Sequence, residues 1–133
     1  MEACMKLTQT EALRAYAKMM NTLNVSPLEP LLAENFTYES QMVFSALESK
    51  QEFLDYIRPK LQTIKNSGAT VFAEMGTIHA YGQSQPCVVL AQNRKENLVA
   101  LVLARVLEDK LSRLDLCIVP SPQSAERSGE YPA

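Results

Sequence analysis

Between Lys95 and Pro120 the chain reads KENLVALVLARVLEDKLSRLDLCIVP, and no other stretch restricts the possible folds as much. Leu98 to Leu107 is apolar at nearly every position and rich in Val and Leu, the composition of a strand covered on both faces in the middle of a sheet. Leu111 to Val119 alternates better. Ser112, Arg113 and Asp115 interrupt Leu, Cys and Ile there, as in a strand with one wetter face. A tight turn joins the two strands, and its length sets which charges meet. A three-residue turn over Glu108, Asp109 and Lys110 puts Arg105 opposite Arg113 and diagonal to Asp115. A two-residue turn at Asp109 and Lys110 sends Arg113 and Asp115 to the other face. Asp-Lys lacks the glycine that favours two-residue turns, which favours the charge cluster.

The rest of the composition sets bounds. A chain of 133 residues with 47% apolar and 21% charged residues is one ordinary globular domain with one core. We place that domain at 1–120, followed by a polar, mobile tail at 121–133. Net charge is −2, and no basic run exceeds Arg94-Lys95, so neither nucleic acid nor an anionic membrane is an expected partner. Cys4, Cys87 and Cys117 form no CxxC pair, and His79 is the single histidine. No structural metal and no cofactor are expected. An odd cysteine count, with two thiols inside apolar strands, fits a reducing compartment. The opening MEACMKLTQTEALRAY has no apolar signal core, and no apolar run is long enough to span a membrane. The expected location is cytoplasmic.

In chain order, Thr8 and Glu11 form a capping box for a first helix, with Leu13, Tyr16, Ala17, Met20 and Leu23 on its apolar stripe. Ser26-Pro27-Leu28-Glu29 repeats the cap pattern for a short second helix through Leu31 and Leu32. Asn35 to Ser40 is β-prone and reads as the first strand, which Gln41 to Leu47 either continues or follows with a second. Ser49 and Glu52 cap a third helix to about Asn66, in which Pro59 predicts a kink or break near Arg58. Strands at Thr70–Ala80, Cys87–Gln92, Leu98–Leu107 and Leu111–Val119 follow, separated by turn-rich YGQSQP, NRKEN and EDK. The fold class is α+β: three helices from the N-terminal half on the concave face of a curved, mainly antiparallel sheet shaped as a conical barrel.

That order, with AYAKMMNTLN at 15–24, LLAENFTYES at 31–40, ESKQEFLDYI at 48–57 and VLEDKLSRLDLCIVP at 106–120, resembles the nuclear transport factor 2-like superfamily. The superfamily includes ketosteroid isomerases, polyketide cyclases, dehydratases and many proteins of unknown role. The resemblance implies the conical α+β fold and says little about chemistry, because one fold hosts many functions. In ketosteroid isomerases a first-helix tyrosine donates to an oxyanion, and Tyr16 matches its place. Where those enzymes carry a carboxylate base, this chain has Ser40, with Glu39 on the opposite face of the strand. Where they carry a protonated carboxylic acid, it has Val102. Steroid isomerisation is therefore not expected.

The residues to watch are few. Tyr16 is a pocket donor or a core ring whose hydroxyl reaches the surface. His79 shares a strand face with Met75, Thr77 and Tyr81, and is a proton-transfer candidate or an exposed strand-end histidine. Of Tyr38 and Glu39 only one faces a pocket. Arg105, a charge in an apolar strand, needs a partner such as Asp115 or Glu108, and structural ion pairing is the plainer reading of that cluster. Three functions remain open. The first is binding of a small apolar or aromatic ligand in a cavity between helices and sheet, with Tyr16, Tyr38 and His79 at its mouth. The second is metal-free acid–base catalysis as an isomerase, dehydratase, cyclase or hydrolase, drawing on His79, Glu39, Tyr16, Arg105 and Asp115. The third is a dimerisation or adaptor module. Because Leu98–Leu107 is apolar on both faces and the helices cover only one, a homodimer through the convex faces of Cys87–Gln92, Leu98–Leu107 and Leu111–Val119 is expected, unless the tail folds back over them.

Overall fold

The computed structural model describes residues 6–41, 45–80 and 82–133. Cys4, the central residues of the expected Gln41–Leu47 extension and Tyr81 lie outside them. Two α-helices pack on one face of a six-stranded, curved and unclosed sheet. Helix α1 (Gln9–Thr22) begins at Thr8, whose side chain accepts from the Glu11 amide while the Glu11 carboxylate accepts from the Thr8 amide. The helix ends on Leu23 in the left-handed region, φ 56°, a conformation usually left to glycine or asparagine.

The expected second helix is a single 3-10 turn, Glu29–Leu31, so two α-helices stand where three were expected. Ser26 does not cap it; the chain turns earlier, with the Leu28 and Glu29 amides both bonded to the Val25 carbonyl. With Pro27 and Pro30 lacking amides, there are too few donors for a longer helix. Strand β1 (Leu32–Ser40) then starts at Leu32, three residues before the expected Asn35. Helix α2 (Lys50–Ser67) starts at Ser49, whose hydroxyl accepts from the Glu52 amide. It runs through Pro59 without a break, because Phe53, Leu54, Ile57 and Leu61 on its buried face hold both halves to the sheet. Burial of each such side chain stabilises by about 1.5–3 kcal/mol, comparable with the local cost of proline of about 3 kcal/mol.

Strands β2 (Val71–Ala80), β3 (Gln83–Gln92), β4 (Leu98–Leu107) and β5 (Lys110–Cys117) form consecutive hairpins. Strand β6 (Glu126–Arg127) returns to β2, giving the order β1-β5-β4-β3-β2-β6. All pairings are antiparallel except β1 with β5, which is parallel. Strand β3 takes in Gln83 to Pro86, which the sequence assigned to a turn. Pro86 pairs with Thr77 inside the sheet.

The last hairpin follows neither expected turn. Glu108 and Asp109 alone form it, both at positive φ (52° and 71°), and Leu107 pairs with Lys110. That is the backbone sign of a turn matched to strand twist. A register shift between Arg105 and Val106 then skips Ser112, so that Arg105 does face Arg113. The expected register of Arg105 against Arg113 is reached through a bulge.

The core lies between helices and sheet. Phe53 of α2 sits edge-on to Phe36, ring centroids 5.0 Å apart, and 5.3 Å from Tyr38. Around them pack Leu13 and Met19 of α1 with Val88, Val102, Leu111 and Leu114 of the sheet. A second apolar cluster occupies the opposite face: Ile78, Cys87, Val89, Leu101 and Cys117, all buried. Its cover comes from the chain itself. Pro122 is buried, and Ala125 packs against this cluster. The uncovered convex face on which the dimer was argued is thus covered at its centre.

The residues after Pro120 are fastened at many points. The Met75 amide donates to the Glu130 carbonyl at 2.9 Å, and the Ser128 amide donates to the Met75 carbonyl at 3.1 Å. Asn21 accepts from the Ala73 amide and donates to the carbonyls of Ala73 and Pro132. The free edge of β2 is therefore occupied, as an open strand edge must be. Gly76 makes room for this return: a Cβ there would lie 2.8 Å from the Glu126 carbonyl oxygen. Beneath the return, buried Glu74 accepts from Arg127 Nε at 2.6 Å and from the Gly129 amide at 2.7 Å. Its hydrogen bond to Glu74 raises the Arg127 pKa.

Candidate functional site

Alternation along each strand divides the polar residues between two faces. On the helix-covered inner face, Tyr38 projects from β1 toward α2, buried at 5% exposure. Tyr16 projects from the apolar stripe of α1 into the same core, at 3%. Tyr56, one helical turn after Phe53, is half-buried, with its ring centroid 5.7 Å from that of Tyr38. Three elements thus deliver three phenols to one region, with Ser40 next on the inner face of β1. Lys60, one turn further along α2, donates to the Tyr56 hydroxyl at 2.8 Å.

Burial governs the electrostatics here. It pushes the Tyr16 hydroxyl well above the ordinary tyrosine pKa, and the nearby Tyr38 and Tyr56 phenols push the same way. Tyr38 is raised by burial first and then by Tyr56, with a hydrogen bond to Ser40 opposing. Desolvation disfavours the phenolate, so both phenols lose their protons only at higher pH than an exposed tyrosine does. Val102, at the second-donor position implied by the family resemblance, is fully buried in the same core.

The outer face carries a different chemistry. Arg113 of β5 is held by two carboxylates. Its Nε lies 3.1 Å from both Asp115 oxygens, and its terminal nitrogen bonds Glu39 of β1. These side chains line a depression of about 380 Å³ with Gln41, Leu103 and Cys117. Arg105 stands opposite Arg113 but is exposed, and no ion pair of its guanidinium is found among the described residues. Asp115 and Glu108, its expected partners, go elsewhere. Asp115 serves Arg113, and Glu108 sits in the turn.

His79 meets none of the other candidates. At the end of β2, its Nδ1 lies 2.5 Å from the Ser84 hydroxyl and its Nε2 3.2 Å from Glu126. The structure therefore groups Tyr16 with Tyr38, groups Glu39 with Asp115 through Arg113, and leaves His79 and Arg105 apart. Tyr56, Ser84 and Glu126 escaped the sequence reading. Tyr56 had a usable signal, standing three residues after Phe53 beside the apolar stripe. Ser84 and Glu126 had none, since both depend on strand pairings the sequence assigned to turn and tail. Among the described residues no group of three or more His, Cys, Asp or Glu is placed to hold a metal ion, and no described helix is long and apolar enough to cross a membrane.

Solved structures with the same arrangement exist. An NTF2-like protein of unknown function from Cytophaga hutchinsonii superposes with a TM-score of 0.58, at 14% identity over 89% of this chain and 97% of that one. The fold is nuclear transport factor 2-like. A SnoaL-like protein of unknown function from Burkholderia thailandensis gives a TM-score of 0.55 at 15% identity, covering 93% of this chain and 99% of that one. An uncharacterized cystatin fold protein from Novosphingobium aromaticivorans gives 0.58 at 12% identity, covering 84% and 98%. No family model and no curated protein sequence matches the chain. At these identities the nuclear transport factor 2-like likeness speaks for the fold alone.

Proposed function

We propose that this chain is a small-molecule-binding domain whose ligand, apolar or aromatic with a hydrogen-bond acceptor, lies between α1, α2 and β1 against Tyr16 and Tyr38. One observation carries the reading: two phenols from different elements, Tyr16 of α1 and Tyr38 of β1, are buried in the same otherwise apolar cluster, where a hydroxyl can fix the orientation of a ligand oxygen. His79, first placed at the mouth of this site, is left out because it is tied to Ser84 and Glu126. Acid–base catalysis at the phenols lacks support. Ser40 stands where a base would act, and Glu39 is turned to the outer face on Arg113. The test is a thermal-shift screen of planar hydroxy-aromatics and cyclic ketones, with naphthol as the first probe. Binding should raise the melting temperature of the wild type and raise it less in Tyr16→Phe and Tyr38→Phe. A screen in which no compound stabilises the wild type would sink the reading.

Self-association belongs to the same proposal, on a smaller patch than the sequence indicated. Val99 at the start of β4, and Ile118 and Val119 just beyond β5, remain exposed, at 36%, 45% and 69% respectively. A homodimer through them gives a light-scattering mass near twice 14.8 kDa, and Val99→Lys lowers it. A wild-type mass near 14.8 kDa removes the dimer.

A further inference from the structure

Ser84, His79 and Glu126 come from three neighbouring strands and lie in a line across the sheet edge. Ser84 on β3 is the direct cross-strand partner of His79 on β2, and Glu126 on β6 pairs with Thr77, two residues back along β2. The contacts order themselves chemically. Glu126 as a carboxylate only accepts, so the imidazole proton sits on Nε2, 3.2 Å away. That leaves the Nδ1 lone pair to accept from the Ser84 hydroxyl at 2.5 Å. A serine hydroxyl on an imidazole nitrogen whose other nitrogen is held by a carboxylate is the arrangement that activates a serine nucleophile, here with the two ring nitrogens exchanged. Beside it is a depression of about 360 Å³ lined by His79, Ala80, Gly82, Gln83 and Ser84. A Cβ built on Gly82, at φ +77°, would meet nothing within 4 Å.

The geometry points to a second, hydrolytic site at Ser84–His79–Glu126 that accepts small carboxylic esters, independent of the tyrosines on the inner face. Ser84 Oγ bonds to the ester carbonyl carbon as its proton passes to His79 Nδ1, and Glu126 stabilises the imidazolium through Nε2. The bond from carbon to the leaving oxygen breaks, and that oxygen takes the proton. Water then adds to the acyl-serine and gives a proton to Nδ1. The acyl–Oγ bond breaks, the acid departs, and Ser84 recovers its proton. The net change is ester plus water to acid plus alcohol, with no redox partner. Ser84 and His79 are the catalytic residues, and Glu126 is a positioning residue.

The test treats the full chain with p-nitrophenyl acetate, following p-nitrophenolate release and locating acetyl groups by peptide mass spectrometry. Acetyl on the peptide carrying Ser84 is expected. Ser84→Ala should abolish it, and Ser84→Cys should retain acylation. His79→Gln should slow release by about 10²-fold or more. Glu126→Gln should slow it about tenfold or more, with partial rescue in Glu126→Asp. All three side chains are exposed, so circular dichroism should show every variant folded. No acetylation, acetyl only on lysine or tyrosine, or an unchanged rate in Ser84→Ala overturns the proposal.

Discussion

The two faces of one sheet are protected in opposite ways. The inner face is closed by two helices whose apolar stripes are written in sequence at helical spacing, and its polar groups are neutral hydroxyls. The outer face is closed over Leu101 and Cys117 by a stretch with almost no apolar pattern, residues 121–125, and it carries the paired charges of Arg113 with Glu39 and Asp115. A face covered by a helix announces its cover through periodicity. One covered by a returning strand end does not, because that cover is held by backbone hydrogen bonds and by ion pairs such as Arg127 with Glu74 and Glu130 with Arg14.

The contrast yields graded expectations. Ending the chain at Pro120 should be the most damaging change. It uncovers Leu101 and Cys117 and removes the bonds of Arg127 and Gly129 to Glu74, each hydrogen bond to a charged group being worth about 1.5–3 kcal/mol. Urea unfolding measures it; a loss below about 0.5 kcal/mol, the size of an ordinary surface change, would reduce 121–133 to an idle tail. Phe53→Ala on the inner face should cost about 3–5 kcal/mol in the same assay, with no effect on the contacts of 121–133.

Alkaline pH should separate the faces more gently. The folded chain keeps the Tyr16 and Tyr38 protons beyond the pH of about 10 at which unfolded tyrosines lose them. Their stabilising contribution is full below that pH and lost as pH rises through the folded values. Urea midpoints should therefore fall more steeply above about pH 10 in the wild type than in the Tyr16→Phe, Tyr38→Phe double variant. Equal slopes would mean the phenols are not buried. Arg113→Ala should be the mildest, about 1 kcal/mol or less, because its pairs with Glu39 and Asp115 are part-exposed.

What the sequence made legible follows from the same physics. Capping at Thr8 and Ser49, the α1 and α2 stripes and the four long strands rest on local signals, and the structure keeps them. Strand β6, the parallel pairing of β1 with β5 and the entry of Gln83–Pro86 into β3 are long-range backbone matters without side-chain periodicity. Tyr16 and Tyr38 were readable as single residues. Their convergence with Tyr56 needed the fold, as did the removal of Asp115 from Arg105 to Arg113.

The central claim is that the inner face, rather than the outer depression, receives the ligand. Calorimetric titration of naphthol into the wild type, the Tyr16→Phe, Tyr38→Phe double variant and Arg113→Ala decides it. Loss of one hydroxyl hydrogen bond is worth about 0.5–1.5 kcal/mol. The double variant should therefore bind about tenfold more weakly while Arg113→Ala binds as the wild type does. Unchanged affinity in the double variant, with loss in Arg113→Ala, would place the ligand on the outer face and contradict the account.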